Sequence, residues 1–273
     1  FPAIASVSAA CQDTLEADDL VTEDGMALTP MLIIQAVEAE SKRTSSSAKE
    51  YQRRALTAIA QLLETFCPPL DMFGELFPYV KTLIQDISES TGEGNTFVSQ
   101  KLDRKKREEE EKEAALHKAR NRVVQAECFR ILGAAWPVQY STQQNFIEEV
   151  LDLFIGELKM ANWNSKVKIF AAAEKFVHRI YVPTSSDDKG HSLLTPYVVH
   201  RLLQAIGPSI NDPKYHIVRE AALKALKEIV VRVKETQHAS QHKAVIEKFL
   251  KGRENDPQTK LQVIELQGLL RTL

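Results

Sequence analysis

His238 and His242 stand four residues apart, a spacing that puts two imidazoles on one face of a helix as two ligands of a zinc ion would be. The spacer, Ala239-Ser240-Gln241, supplies neither a third ligand nor a general-base glutamate, so the pair reads as two solvent-facing histidines. Cys11, Cys67 and Cys128 are odd in number and form no Cys-x-x-Cys pair. That points away from a disulfide framework or a zinc site and toward a reducing, intracellular compartment. Gly92-Glu93-Gly94 carries two glycines but not the rest of a phosphate-binding fingerprint, and no strand-like run precedes it. There is no Gly-x-Ser-x-Gly elbow, and no nucleophile, base and orienting group can be assembled from spacing. The reading is of a chain that is not an enzyme, with no cofactor, no metal and no small-molecule substrate.

Charge offers one further candidate. KLDRKKREEEEKE, Lys101 to Glu113, contains six basic and six acidic residues. Arg104–Glu108, Lys105–Glu109, Lys106–Glu110 and Arg107–Glu111 are i,i+4 pairs, in the weaker base-before-acid order, each contributing ~0.2–0.5 kcal/mol on a helix. The run reads as a solvated helical lead-in, and Arg104, Lys105, Lys106 and Arg107 are its candidate partner contacts. Before it, SESTGEGNTFVSQ has loop composition. Residues 88–108 are therefore expected to be a flexible, charged insertion. SKRTSSS, Ser41 to Ser47, joins two helices and leaves Ser45, Ser46 and Ser47 open to phosphorylation. A net charge of −2 gives no global argument for nucleic acid or an anionic membrane surface. No apolar run reaches the length of a membrane span, so no membrane insertion is expected. A chain opening on Phe1, with no charged region before it, reads as a piece of a longer one without an evident signal peptide.

The elements that would position such residues are helices. In NDPKYHIVREAALKALKEIV, Asn211 and Asp212 are suitable N-caps and Pro213 suits a first helical turn. Val218, Ala222, Ala225, Leu226, Ile229 and Val233 then follow at helical spacing, with Arg219, Glu220, Lys224, Lys227 and Glu228 assigned to the opposite side. The offsets of Ala222, Leu226, Ile229, Val230 and Val233 recur at Ala55-Ile59-Leu62-Leu63-Phe66, Val124-Cys128-Ile131-Leu132-Ala135 and Ile169-Ala173-Phe176-Val177-Ile180. A last copy runs Gln262-Leu266-Leu269-Leu270-Leu273. A further helix precedes each stripe, three of them through Leu28-Thr29-Pro30, Leu76-Phe77-Pro78 and Leu194-Thr195-Pro196. One such pair cannot bury its own apolar face, and repetition near ~40–47 residues is the period of HEAT and armadillo arrays. A non-repetitive bundle would give no reason for the recurring proline and stripe. The fold class expected is all-α, a HEAT/armadillo-like α-solenoid of about five helix pairs, continuous over residues 1–273.

REEEEKEAALHKARNRVVQAECFRILGAAWP, followed by STQQNFIEEVLDLFIGELKMANWNSKVKIFAAAEKF, resembles the C-terminal end of the proteasome adaptor and scaffold family, large HEAT-repeat proteins. The resemblance rests on the Glu/Lys-rich lead-in, on Leu132-Gly133-Ala134-Ala135-Trp136-Pro137, and on Trp163 before the next helix. It implies a non-catalytic scaffold that binds proteasome subunits, tethers the core particle to the regulatory particle, and works in cytoplasm and nucleus. It brings no catalytic or contact residues with it. Trp136 and Trp163 are expected to pack between neighbouring repeats, with a partner hot spot as the sharper alternative. The alternative functions are a HEAT-repeat nuclear transport receptor, whose usual acidity a net charge of −2 does not match, or a scaffold of another large assembly.

Overall fold

The structure, a computed structural model, describes residues 28–43, 49–65, 72–92, 112, 122–182, 192–236, 239–251, 253 and 256–272. Among these residues there are ten helices and no strand. They are α1 (Leu28–Ser41), α2 (Lys49–Thr65), α3 (Phe73–Gly92), α4 (122–135), α5 (Tyr140–Met160), α6 (Trp163–His178), α7 (Pro196–Ile210), α8 (His216–Lys234), α9 (Ala239–Leu250) and α10 (Lys260–Leu270). Taken two by two, they are the five expected pairs. The chain divides into two units, Phe1–Ala135 with two pairs and Trp136–Leu273 with three.

In the second unit each first helix packs on the next first helix and each second on the next second. The rows are α5, α7, α9 and α6, α8, α10, joined by contacts within pairs such as α7 on α8. This stacking is what a solenoid requires, because the stripe left bare by one pair is covered by its neighbour. The stripes are where the burial lies. Ile169, Ala173, Phe176, Val177 and Ile180 on and just after α6 are buried, as are Ala222, Leu226, Ile229, Val230 and Val233 on α8. Trp136 is 1% exposed, its ring edge-on to Phe176 with centroids 4.6 Å apart. Gln143, fully buried on α5, fixes the far end of its pair. Its Nε2 donates to the carbonyls of Pro137 and Arg179, both at 2.6 Å, and its Oε1 accepts from the Tyr181 N–H at 2.7 Å.

In the first unit α1 packs on both α2 and α3. Ile59, Leu62 and Leu63 of α2 and Val124, Cys128, Ile131, Leu132 and Ala135 of α4 are buried; Ala55 is half-buried. Phe66 lies outside the described residues. Gln52 turns back from α2 to donate to the Glu40 and Arg43 carbonyls at 2.8 and 3.4 Å, adding to the Arg43 N–H that the Glu40 carbonyl already accepts at 3.2 Å and tying α2 to the end of α1.

The prolines open or interrupt first helices. Pro30 lies in the first turn of α1 and Pro78 inside α3, while Pro196 is the first residue of α7 with Thr195 Oγ1 accepting from the Val198 N–H at 3.3 Å.

Five expectations are corrected. The helix after Asn211 begins at His216 and not at Pro213, because Asp212 spends its carboxylate on a turn, accepting the N–H groups of Lys214 and Tyr215 at 2.9 and 2.8 Å. Arg219 is buried: it lies three and seven residues before Ala222 and Leu226, on their stripe. The last stripe is shifted, with Val263, Leu266 and Leu270 buried while Gln262 and Leu269 are half-buried; Leu273 lies outside the described residues. His242 is buried rather than solvent-facing, since it shares a face of α9 with Ile246 and Leu250 at i+4 and i+8; His238 lies outside the described residues. Ser88–Gly92, assigned to the insertion, forms the end of α3, and 93–100 lies outside the described residues. Of the rest of the insertion, 101–108, none is described.

Candidate partner-binding surface

Polar links between consecutive pairs hold the rows in register, and they decide which charges remain for a partner. Arg219 on α8 spends its whole guanidinium on one junction. Nε donates to Asp256 Oδ2 at 3.0 Å, Nη1 to the Asp212 carbonyl at 3.0 Å and Nη2 to Gln258 Oε1 at 2.9 Å. Asp256 also accepts from the Gln258 N–H and the Thr259 hydroxyl, both at 3.1 Å. These contacts, the Gln258 N–H foremost, hold its carboxyl below the ordinary 3.8. For Asp212, burial pushes the carboxyl up, but the Tyr215 and Lys214 N–H groups outweigh it and the net shift is downward. The two aspartates come from the two Asn-Asp-Pro sequences, Asn211-Asp212-Pro213 and Asn255-Asp256-Pro257.

Other links follow the rows. His178 Nδ1 of α6 lies 2.8 Å from Glu228 of α8, and Lys227 of α8 lies 2.6 Å from Glu265 of α10. Lys227 is therefore half-exposed, whereas Lys224 is exposed as expected. Arg201 of α7 pairs with Asp152 and, at 3.6 Å, Glu148 of α5. In the first unit Arg130 of α4 reaches Glu64 of α2 at 2.8 Å and its own Glu127 at 2.6 Å. The exposed pair Lys227–Glu265 contributes ~0–1 kcal/mol and sets register more than stability, whereas Arg130 meets a Glu127 side chain that is only 1% exposed.

Arg104, Lys105, Lys106 and Arg107 lie outside the described residues, as do Ser45, Ser46 and Ser47; within the charged run only Lys112 is described, helical and exposed. Among the described residues no group of three or more His, Cys, Asp and Glu side chains could hold a metal ion, and no helix is long and apolar enough to cross a membrane. Cys128 is a buried thiol whose pKa burial pushes up, the opposite of an activated nucleophile. A cleft of about 440 Å³ between α9 and α10 is lined by Glu247, Lys248, Lys251, Arg271 and the edges of Leu250 and Leu270. It brings no nucleophile and base together.

What the surface offers instead is exposed apolar area. Trp163, 42% exposed, opens α6 and stacks on Tyr215, which precedes α8, with centroids 5.5 Å apart and planes at 22°. Met160, Ile217, Leu261 and Ile264 are also exposed large apolar residues of the second unit. Trp163 thus packs between neighbouring pairs and still shows nearly half its surface. Sequence reasoning singled out Trp163 but missed Tyr215, Arg219 as a junction residue, and Gln143 as the residue that closes its own pair. The repeated Asn-Asp-Pro, with an arginine on the stripe that follows the first copy, was the available signal for Arg219.

Stacked pairs of antiparallel helices, row on row, with polar residues locking consecutive turns, define an ARM/HEAT-like α-solenoid. Over residues 22–265 the sequence matches the family described as ECM29, C-terminal ARM-like repeats. The chain belongs to that family, the proteasome adaptor and scaffold family that its Trp136 and Trp163 segments resemble. No curated protein and no solved structure matches it.

Proposed function

We propose that this chain is a non-catalytic scaffold segment that binds the proteasome and helps tether its core particle to its regulatory particle, in cytoplasm and nucleus. Membership of the ECM29 C-terminal repeat family over residues 22–265 carries the reading. Stacked pairs support it physically, because a solenoid presents a long surface assembled from several helices rather than one pocket. Arg104, Lys105, Lys106 and Arg107 are the proposed charged contacts, acting on association rate and salt sensitivity more than on the fold. The test is affinity purification of the intact protein followed by mass spectrometry. Recovery of core and regulatory subunits supports the reading. Recovery of import cargo with a small GTPase, and no proteasome, replaces it with a transport receptor. In a companion pull-down on purified proteasome, equal retention of wild type and an Arg104/Lys105/Lys106/Arg107→Ala variant at low and physiological salt removes the basic run from the contacts.

A further inference from the structure

We infer that the edge built by the α5–α6 turn and the start of α8 is a docking surface for an acidic segment of a partner protein that carries a large apolar side chain. Four large apolar residues come from the adjoining ends of two consecutive helix pairs, and two of them, Trp163 and Tyr215, are in contact. Met160 ends α5 and is 65% exposed, Trp163 opens α6, Tyr215 stacks on it, and Ile217 in the first turn of α8 is 43% exposed. Single exposed apolar residues are ordinary on a protein surface; a Trp–Tyr stack that leaves the indole 42% exposed is of the composition that interface centres favour. Tyr215 sets the indole from below, so Trp163 is preorganised and little side-chain freedom is left to lose on binding.

The charge around this group selects the partner. Lys214 holds its ammonium 5.1 Å over the Tyr215 ring. Lys166, one turn into α6, is close enough to act on Asp212. Asp212 is the carboxylate between them, and its Oδ1 is already engaged by the N–H groups of Lys214 and Tyr215. The Asp256 carboxylate is likewise engaged, by Arg219, Gln258 and Thr259. Two ammonium groups therefore stand near the Trp163–Tyr215 stack, Lys214 over the Tyr215 ring and Lys166 near Asp212. An apolar side chain seated on the open face of the Trp163 indole, with carboxylates beside it to meet Lys214 and Lys166, matches both features. A single-stranded nucleic acid fits less well, since Tyr215 already covers one face of the indole.

The chain contains two tryptophans, and the buried Trp136 serves as an internal reference. The probe is the synthetic peptide Asp-Glu-Asp-Phe-Leu-Asp-Glu, titrated into the ¹⁵N-labelled 273-residue chain while the two indole N–H signals are followed. The expected result is a saturable shift of the Trp163 signal with Trp136 unmoved. Binding should weaken about tenfold in Lys214→Glu and in Lys166→Glu, and similarly on raising the salt. Each variant is first checked for an unchanged melting temperature. No shift of Trp163 overturns the inference. So does equal binding of a peptide with lysine in place of every acid, a Lys214→Glu variant that binds like wild type, or a stronger response to oligouridylate. The peptide carries no proteasome sequence, so its binding and the proteasome pull-down can fail independently.

Discussion

Arg219 on α8 and Asp256 in the turn before α10, 37 residues apart in sequence, are joined by a hydrogen-bonded ion pair of 3.0 Å whose side chains are 11% and 14% exposed. The same guanidinium holds the Asp212 carbonyl of its own turn. One side chain thus ties two successive turns together. Replacing it by methionine leaves a largely enclosed carboxylate without its charge partner, which costs about 2–4 kcal/mol. Thermal or urea melts of Arg219→Met read this directly; an unchanged midpoint would remove the junction from the forces holding the last pair.

Acid should loosen the same junction. The folded-state pKa of Asp256 lies below its ordinary 3.8. Its contribution is therefore complete above that value and disappears as pH falls through the lower, folded one. Stability measured from pH 5 downward should fall less steeply in Asp256→Asn than in wild type. Parallel curves would mean the carboxylate titrates alike in both states.

Leu226 is fully buried on α8. Leu226→Asp places a carboxylate among aliphatic side chains with no cation to meet it, and either the acid stays protonated or stability drops by several kcal/mol. Lys224→Asp, two residues away and exposed, should change stability by less than about 0.5 kcal/mol. Equal effects of the two would refute the assignment of the stripe.

Gly207 sits on α7 where a methyl group would overlap the Phe249 ring of α9 at Cε1. Alanine is the better helix former by ~1 kcal/mol, so propensity alone favours Gly207→Ala. Forcing the ring aside costs ~1–3 kcal/mol and should win, lowering the melting temperature. Phe249→Leu should relieve most of that loss in the double variant. A Gly207→Ala protein as stable as wild type would show that α7 and α9 do not approach as closely as described.

Helix pairing was legible in the sequence because each stripe is a local property: Val124 to Ala135 or Ile169 to Ile180 needs only the 3.6-residue period to be seen. Junctions between pairs are not local. Arg219 lies on a stripe read as apolar, and only the neighbouring turn supplies the Asp256 and Gln258 that make its burial tolerable. His242 was misplaced because a histidine pair with no third ligand reads as solvent-facing, whereas Ile246 and Leu250 continue the same spacing as a buried face. The start of α8 was read too early because Asp212 can cap a helix or close a turn, and here it closes a turn. Trp163 could be named from its place after Met160, but its stacking on Tyr215 arises only when α6 packs on α8.

Whether this chain docks on the proteasome is tested most directly by sedimentation. A fluorescently labelled 273-residue chain is run in an analytical ultracentrifuge with and without purified, assembled proteasome, at low and physiological salt. The scaffold reading predicts that a fraction of the label moves with the particle, saturably and more at low salt, since a segment of a longer solenoid engages part of a multisite contact. Label that sediments as the free chain at both salts, with proteasome in excess, would contradict it.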